Sequence, residues 1–300
     1  MKLGIGLPLT LVPELNRGLF LDWCRTSDDA GFHVFGSIDQ PAYDSWDPLV
    51  SLAAAAAVTE RVRLATTILQ LPNRNEITVA KQAAVIDRLS GGRLDLGVAV
   101  GSREVDYQVL GARSRFSKRG KRIETQIRKI RRTWRAAKRA NADTGAVGPA
   151  PMQKPLPPIW LGGKSERAIA RAVDLGDGYI FGAAGSDAMV ERTPRIRLMA
   201  EEAGKKKFTI VGFAYCAVGD DLAAALERGA HYAQRYYGET PSREPDKLIH
   251  HGPVDGIAAA VKEYEQAGLD ILILYPLIPE IKQVELIGEH VLPAYRVPVH

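Results

Sequence analysis

The stretch that decides the fold spans residues 87–101 and reads Asp-Arg-Leu-Ser-Gly-Gly-Arg-Leu-Asp-Leu-Gly-Val-Ala-Val-Gly. Its paired glycines, Gly91 and Gly92, predict the end of a helix, because a residue without Cβ readily takes the left-handed conformation that closes a last turn. Bulky and small residues then alternate, which is typical of a strand. The strand ends at Gly101 in a polar segment, and α/β proteins bind ligands just past the carboxyl ends of their strands. A helix-to-strand corner without a ligand is the simpler interpretation.

Short apolar segments alternate with amphipathic segments along the whole chain, which predicts parallel strands joined by helices. The predicted strands are residues 3–7, 33–38, 63–68, 94–100, 159–162, 178–181, 208–218 and 271–275. Eight strands that alternate with helices give the count of a (β/α)8 barrel. An open doubly wound sheet is the alternative, but the first turn, Pro8-Leu9-Thr10, lacks the glycines that such a sheet carries there. We therefore predict one barrel domain over residues 1–300, with long loops in residues 101–121, 141–158 and 237–253. The first and third would overhang the carboxyl-terminal mouth of the barrel.

Composition excludes several classes of protein. With 46% hydrophobic and 25% charged residues, the chain has the composition of a globular protein, and no apolar segment approaches the ~20 residues of a membrane helix. Pro8 and Pro13 interrupt the apolar core that a signal peptide needs, so we expect a cytoplasmic protein. Cys24 and Cys216 are far apart, and the six histidines lack metal-ligand spacing, so we predict neither a disulfide framework nor a metal site.

Positive charge is concentrated in residues 113–139, which hold thirteen lysines and arginines and a single acid, Glu124. Apolar residues recur there at spacings of three and four, which predicts a helix with one buried face. They are Ile123, Ile127, Ile130, Trp134 and Ala137. The basic face is either solvated or a docking surface for an acidic ligand. Because no nucleic-acid recognition motif accompanies the charge, we predict no nucleic-acid partner.

A set of motifs occurs in a fixed order along the chain. They are Asp39, Arg61-Val62-Arg63-Leu64-Ala65-Thr66-Thr67, Ala80-Lys81-Gln82, residues 87–93, Ile159-Trp160-Leu161-Gly162-Gly163, Gly176-Asp177-Gly178-Tyr179 and Gly268-Leu269-Asp270. Together they resemble the bacterial luciferase-like flavin-dependent oxidoreductases, especially the branch that uses the deazaflavin F420. The resemblance implies a (β/α)8 barrel that binds F420, or alternatively FMN, at its mouth. It also gives the basic segment a partner, because the acidic tail of F420 could dock near Arg113, Arg115 and Lys118.

The resemblance places the cofactor ring beside the second and third predicted strands. Thr67 and Ile68 occupy the position where the family carries a cis peptide bond that supports the ring. Asp39 and Gln40 lie where F420-dependent members commonly have Asp-His, and are candidates for catalysis as well as, for Asp39, cofactor contact. Glutamine forms hydrogen bonds but does not exchange a proton near neutral pH as histidine does. A cap of the following turn is the alternative role of Asp39.

The segment after the fourth predicted strand departs from the family pattern. Gly101 and Ser102 replace the common glycine-aromatic pair and leave more room above the ring, so both are candidate cofactor contacts. Glu104 is a candidate general acid, provided that the pocket favours its protonated form. The alternative is that Glu104 is solvated or paired with Arg103.

Backbone amides and a positive charge coincide at Gly162-Gly163-Lys164-Ser165, where a predicted helix begins. The free N–H groups and the positive dipole end of a helix N-terminus accept an anion. The resemblance assigns the cofactor phosphate to these residues, with Gly182 and Ala183 closing the same site. Without a ligand, Ser165 is simply the N-cap of that helix.

We therefore predict a (deaza)flavin-dependent oxidoreductase that transfers hydride between F420, or FMN, and a small organic substrate. An FMN-dependent monooxygenase is the alternative within the class, and a barrel that only binds ligands is the alternative outside it. A sugar-phosphate barrel enzyme would need paired acid and base groups at strand ends, and we identify no such pair. Family members tend to dimerise through helices near the early strands, and the alanine-rich residues 53–57 predict a homodimer. Packing of these alanines onto the barrel of the same chain is the alternative.

Overall fold

The computed structural model describes residues 1–139, 147–182, 185–219 and 249–295, with isolated positions between 223 and 234. All strand pairs in its main sheet are parallel. The strands are β1 (Lys2–Gly6), β2 (Val34–Ser37), β3 (Arg63–Thr66), β4 (Leu69–Gln70), β5 (Leu94–Ala99), β6 (Ile159–Gly162), β7 (Gly178–Ile180), β8 (Thr209–Val218), β9 (Ile249–Gly252) and β10 (Ile271–Pro276).

Eight of these strands close into a barrel in the order β1, β2, β3, β5, β6, β7, β8, β10. The ring closes because β10 pairs with β1 on one side and with β8 on the other. All eight predicted strands are present, so the predicted (β/α)8 barrel is confirmed. The short β4 continues β3 past Thr67 and Ile68 and pairs with β5, while β9 pairs with the end of β8.

Helices cover the outside of the barrel. They are α1 (Arg17–Ala30), α2 (Pro48–Ala56), α3 (Glu76–Leu89), α4 (Glu104–Val109), α5 (Arg119–Arg139), α6 (Glu166–Leu175), α7 (Ser186–Glu202), α8 (Val254–Gln266) and α9 (Ile281–His290). Asn16, Asp47, Asn75 and Ser165 cap helices by accepting first-turn N–H groups. A further helix predicted over residues 223–236 lies almost entirely outside the described residues. None of the helices described is both long and apolar enough to cross a bilayer.

The opening stretch of the sequence folds as predicted. Gly91 and Gly92 follow α3 with φ angles of 67° and 91°, the left-handed values that favour glycine. Arg63 of β3 and Asp95 of β5 form two hydrogen bonds of 2.7 Å between the neighbouring strands. Cys24 and Cys216 are buried and unbridged.

Apolar residues pack in two layers. The larger one lies between the sheet and the helices. The smaller one fills the inside of the barrel with Trp160, Ile180, Phe213, Tyr215 and Tyr275 among its members. The ring of Phe213 packs edge-on against those of Tyr215 and Tyr275, with centroids 5.7 and 5.6 Å apart. Because side chains fill this interior, space for a ligand begins at the carboxyl ends of the strands.

Both loops that were predicted to overhang the mouth contain regular structure. The segment 101–121 holds α4 and a 3-10 turn, Arg113–Arg115, before α5 begins. Helix α4 has only six residues, which are too few for a helical period to be detected in the sequence. It is stabilised by the buried Tyr107, whose ring lies 5.1 Å from that of Phe116. Residues 249–252, which were predicted to lie within the third loop, form β9. This strand pairs with β8, and no local sequence pattern predicts that pairing. The described part of the second loop, residues 147–158, has neither helix nor strand.

The basic helix α5 packs on the barrel through the predicted stripe, of which Ile123, Ile127, Ile130 and Trp134 are buried. Residues of opposite charge on neighbouring helices and loops pair with its charged side chains. Lys129 contacts Glu76 at 2.8 Å, Arg131 contacts Asp177 at 2.5 Å, and Glu124 contacts Arg171 at 3.0 Å. These contacts match the simplest interpretation of the segment, a surface helix.

Candidate functional site

The carboxyl ends of β2, β4 and β5 meet around Gln70. Its backbone N–H donates to Asp39 Oδ2 at 2.9 Å, and its Nε2 donates to the Asp39 carbonyl oxygen at 3.2 Å and to Asp106 Oδ2 at 3.0 Å. Gly101 lies against the same side chain, since a Cβ at that position would be 2.3 Å from Gln70 Oε1. Gln70 therefore contacts two of the predicted site residues, Asp39 and Gly101. The sequence analysis did not identify Gln70 as a site residue.

Asp39 is 4% exposed and is the centre of a charged group. Arg74 donates to Asp39 Oδ1 at 2.9 Å and to Asp47 Oδ2 at 2.9 Å. Burial raises the pKa of the Asp39 carboxyl, while Arg74 and the Gln70 N–H oppose that rise. Burial alone would lower the pKa of Arg74, but the two carboxylates raise it. The two carboxylate oxygens of Asp39 contact Gln70 and Arg74 rather than the turn that follows β2. Its roles in catalysis and in cofactor contact stay predictions.

Gln40 is buried beside a cation. Its Oε1 accepts a hydrogen bond of 3.3 Å from Arg103, whose guanidinium lies 4.2 Å from the centroid of the Tyr43 ring. Its carbonyl oxygen accepts the Ser45 hydroxyl at 2.7 Å. Arginine stays protonated at any working pH, so this edge of the mouth carries a permanent positive charge.

The structure places Ser102 and Glu104 at the surface. The Glu104 side chain is 49% exposed and pairs with Arg113 at 3.0 Å. The Glu104 carboxylate therefore lies at the surface beside a cation, and its general-acid role stays a prediction. The partner of Glu104 is also Arg113 rather than Arg103, the partner weighed from the sequence.

Asp106 is a site residue that sequence reasoning missed. It is 1% exposed, and its two carboxylate oxygens accept the Ala42 N–H at 3.3 Å and the Gln70 amide at 3.0 Å. It therefore fastens α4 to the segment after β2. Residues 101–121 were predicted to form an irregular loop. The alternation of Asp106 with the apolar residues of α4 was therefore not interpreted as a sign of helical structure.

The peptide bond between Thr67 and Ile68 is cis, as the resemblance implies. The Thr67 hydroxyl contacts the hydroxyl of Tyr275, at the end of β10 on the opposite side of β1 and β2. Tyr275, which sequence reasoning also missed, is buried, and burial raises the pKa of its hydroxyl. The Ile68 side chain lies against Gly162, the first residue of the predicted phosphate segment, because a Cβ at Gly162 would lie 3.5 Å from Ile68 Cδ1.

The predicted phosphate residues converge at the N-terminus of α6. Ser165 caps the helix by accepting the Ala168 N–H at 3.2 Å. Gly163 has a φ of 145°, and a Cβ there would lie 2.6 Å from Ala168 Cβ, so glycine is required. The exposed Lys164 extends to the end of β7, where its Cε is 3.4 Å from the position of a Cβ at Gly182. Ala183 lies outside the described residues.

No metal centre is evident in the described part of the chain, where no three His, Cys, Asp or Glu side chains are placed to hold an ion. His250 and His251, which lie on β9, belong to no such group. His250 instead forms a 2.9 Å hydrogen bond with Tyr264 of α8, and burial lowers the pKa of its imidazole.

Comparison with known proteins shows which family the chain matches. Residues 16–271 match the family described as Luciferase-like monooxygenase. The oxygenase component of a flavin-dependent trigonelline monooxygenase from Acinetobacter baylyi is 27% identical over 164 residues, which cover 52% of this chain and 46% of that protein. The chain matches about half the length of the first curated relatives.

Two solved structures share the fold over nearly their whole length. A monooxygenase from Streptomyces bottropensis superposes with a TM-score of 0.81 at 23% identity, covering 99% of this chain and 100% of the other. An F420-dependent secondary alcohol dehydrogenase gives a TM-score of 0.78 at 18% identity, covering 99% of each chain. At these identities the likeness establishes the common barrel.

Proposed function

The chain belongs to the luciferase-like monooxygenase family, and we propose that it is an oxidoreductase that exchanges hydride between bound F420 and a small organic substrate. The similar proteins include a flavin-dependent monooxygenase and an F420-dependent alcohol dehydrogenase, which supports a flavin or deazaflavin cofactor. When bound, such a cofactor supplies the hydride chemistry itself. The chain's part is to hold the cofactor, orient its ring and exclude water.

One observation carries the proposal: the site predicted for the phosphate and the site predicted for the ring are adjacent. Ile68, at the cis peptide, lies against Gly162 at the start of the phosphate segment. A planar apolar ring at Ile68 and an anion at the N-terminus of α6 therefore fit one continuous ligand. Glycine at positions 162, 163 and 182 leaves the backbone open to close approach.

The donors at the α6 N-terminus suit a phosphate group. The first-turn N–H groups of a helix have no intrahelical partner, and their dipole favours an anion. Lys164 adds a full charge, and the Ser165 hydroxyl keeps a proton to donate while its oxygen caps the helix. These groups would hold the cofactor phosphate.

Arginines near the mouth favour F420 over FMN, because only F420 carries an acidic tail. Arg115 donates to the carbonyl oxygen of Asn73, just past β4, at 3.2 Å. Arg113 and Arg103 lie on the segment that follows β5. Three cations therefore border the half of the mouth that is proposed to hold the cofactor. An FMN-dependent monooxygenase is the alternative that the same experiment addresses.

The test is a fluorescence titration of the full chain with F420 and, separately, with FMN. We expect saturable binding of F420 and at least tenfold weaker binding of FMN. In the variant Lys164→Met the affinity for F420 falls about tenfold, the effect of losing one charge-assisted contact. The control Lys207→Met removes an exposed charge at the opposite end of the barrel and leaves the affinity unchanged.

Two results separate the candidates. Tighter binding of FMN, followed by reaction of the reduced complex with oxygen, would favour the monooxygenase. Binding of neither compound would contradict the proposal and favour a barrel that only binds other ligands.

We also propose that the chain is a cytoplasmic homodimer that associates through α2 and α3. Helix α2 exposes Val50 to 66%, and α3 exposes Val85 to 37% and Leu89 to 54%. Apolar side chains on neighbouring helices suit a self-complementary interface. The mass of the protein in solution tests the assembly.

A further inference from the structure

A cavity lies at the amino-terminal end of the barrel, on the side away from the mouth. It is formed where helix α7 ends, at Glu202, and strand β8 begins, at Thr209. Its volume is about 300 Å³, at the lower end of the size range of small-molecule sites. The cavity is open to solvent, and its lining residues are Arg197, Ala200, Glu201, Gly204, Lys205, Lys206 and Phe208. None of them belongs to the predicted cofactor site.

One wall of the cavity is a helix-terminating turn with a fixed backbone. Gly204 has a φ of 71°, in the left-handed region that favours glycine. Its N–H donates to the Glu201 carbonyl oxygen at 2.8 Å, and the Lys205 N–H donates to the Ala200 carbonyl oxygen at 2.9 Å. These are the two bonds of a Schellman motif, which satisfies the last carbonyl groups of a helix. The wall is therefore in place without a ligand, and these carbonyl groups need no lysine side chain as a partner.

Positive charge exceeds negative charge in the lining, which has three cations and one carboxylate, that of Glu201. Arg197 donates to Asp270 Oδ1 at 3.0 Å, so this pair is balanced. Lys205 donates to the Gly176 carbonyl oxygen at 2.9 Å, a neutral partner that leaves the charge of the ammonium group unbalanced. Because Glu201 can offset only one of the two lysines, the lining has one positive charge in excess.

Lys206 carries a charge that no contact in the described part of the chain offsets. The residue is exposed and forms no ion pair with the residues described. It stands between Lys205 and Lys207, so three like charges are consecutive in the sequence. Like charges held close together repel one another, and the positive potential that they create attracts anions. An anion bound in the cavity would relieve this repulsion.

The cavity also has an apolar part, formed by Phe208 and Ala200. Their exposed fractions are 8% and 2%, so most of each side chain is already covered by the protein. An apolar group that rests on the remaining surface removes further apolar area from water, which is favourable. The combination of an excess cation with an apolar surface suits an amphipathic anion better than an inorganic ion.

We propose that this cavity binds a small organic carboxylate, whose charged group contacts the Lys206 ammonium group and whose apolar body packs against Phe208 and Ala200. One carboxylate balances the single excess charge of the lining, whereas a phosphate dianion would exceed it. The site lies at the opposite end of the barrel from the proposed cofactor, so it does not depend on the proposed function.

Isothermal titration calorimetry of the full chain tests the site with three probes at low ionic strength, where charges are weakly screened. 2-Naphthoate has both the charge and the apolar body, 2-naphthalenemethanol lacks the charge, and acetate lacks the body. We expect one molecule of 2-naphthoate to bind per chain, and each of the other probes to bind at least tenfold more weakly. Lys206→Met should weaken the binding of 2-naphthoate roughly fivefold, because it removes the charged contact.

Lys207→Met is the matched control, because Lys207 is the adjacent exposed lysine but does not line the cavity. It should change the affinity for 2-naphthoate less than about twofold, since the charge that it removes makes no direct contact. Lys164→Met alters the predicted phosphate segment and should bind 2-naphthoate as the parent chain does.

Four results would overturn the proposal. Equal losses in Lys206→Met and Lys207→Met would show only a diffuse attraction between charges. Equal affinity for 2-naphthalenemethanol would show that the charge is not recognised, and a loss in Lys164→Met would place the carboxylate at the barrel mouth. The absence of saturable 2-naphthoate binding would refute the site directly.

Discussion

Replacing Arg74 by methionine isolates the ion pair that organises one side of the mouth. Arg74 contacts the carboxylates of Asp39 and Asp47 at 2.9 Å each, with its own side chain 20% and that of Asp39 only 2% exposed. Methionine keeps the apolar bulk but leaves the Asp39 charge buried without its cation. Removing one partner of a buried pair costs ~3 to 5 kcal/mol. Because Arg74 is partly exposed, we expect the lower end, about 3 kcal/mol at pH 7.

The loss should depend on pH in a defined direction. Without Arg74, burial raises the pKa of Asp39 further above its unfolded value of 3.8. The folded variant then binds this proton more tightly than the unfolded chain does, so its stability falls as the pH rises above about 4. The cost of the substitution is therefore greatest at pH 7 and smaller at pH 5. Asp39→Asn removes the charge, so the double variant should be more stable at pH 7 than Arg74→Met alone.

Urea unfolding at pH 5 and pH 7 measures these free energies for both single variants and the double variant. Arg197→Met is the control, since Arg197 pairs with Asp270 at 3.0 Å in a contact whose side chains are 37% and 41% exposed. That pair should contribute less than ~1 kcal/mol. A loss below about 1 kcal/mol for Arg74→Met, equal at both pH values, would refute the argument that Asp39 is charged and held by Arg74.

Three further predictions concern pH, cofactor and assembly. Burial, with Lys2 and Arg63 nearby, lowers the pKa of His33 from 6.5 to about 4. Stability should therefore fall as the pH drops from 6.5 toward 4, by at most ~3 kcal/mol, and His33→Gln should flatten this profile in urea unfolding. Gly163→Ala should weaken F420 binding at least tenfold in the fluorescence titration, and undiminished affinity would exclude the α6 segment. Val50→Glu should halve the mass measured by analytical ultracentrifugation, whereas an unchanged mass would place the interface elsewhere.

The barrel could be predicted because its strands and helices are encoded locally. Alternation in residues 94–100 and the glycine pair after α3 fix where that helix stops and the strand starts. Helix α4 and strand β9 were not predicted, and the reason is the same for both. Each is short, and what stabilises it is a contact distant in sequence: the packing of Tyr107 for α4 and the pairing with β8 for β9.

Candidate site residues could be predicted from the sequence only where consecutive residues of one segment form that part of the site. The segment predicted to bind phosphate could be identified as one unit, because its glycines, its lysine and its N-cap are consecutive at residues 162–165. Its helix cap is confirmed, and its phosphate binding stays a prediction. Gln70, Asp106 and Tyr275 were missed because each acquires its role from a partner 31 to 208 residues away. A buried glutamine or tyrosine looks like any core residue until the barrel brings its partner near.

In the described part of the mouth, polar and apolar residues lie on different sides, and the polar side suits the proposed cofactor. From β2 to β7 it presents cations, free helix amides and glycines, which suit a long anionic cofactor. Beside β10 and β1 the described walls are apolar, with Leu9, Leu11 and Leu277 among them. The hydroxyls of Tyr275 and Thr67 meet where the two sides join. Because burial raises the pKa of Tyr275, its hydroxyl keeps its proton at neutral pH and adds no charge beside Thr67, where the cofactor ring is proposed to lie.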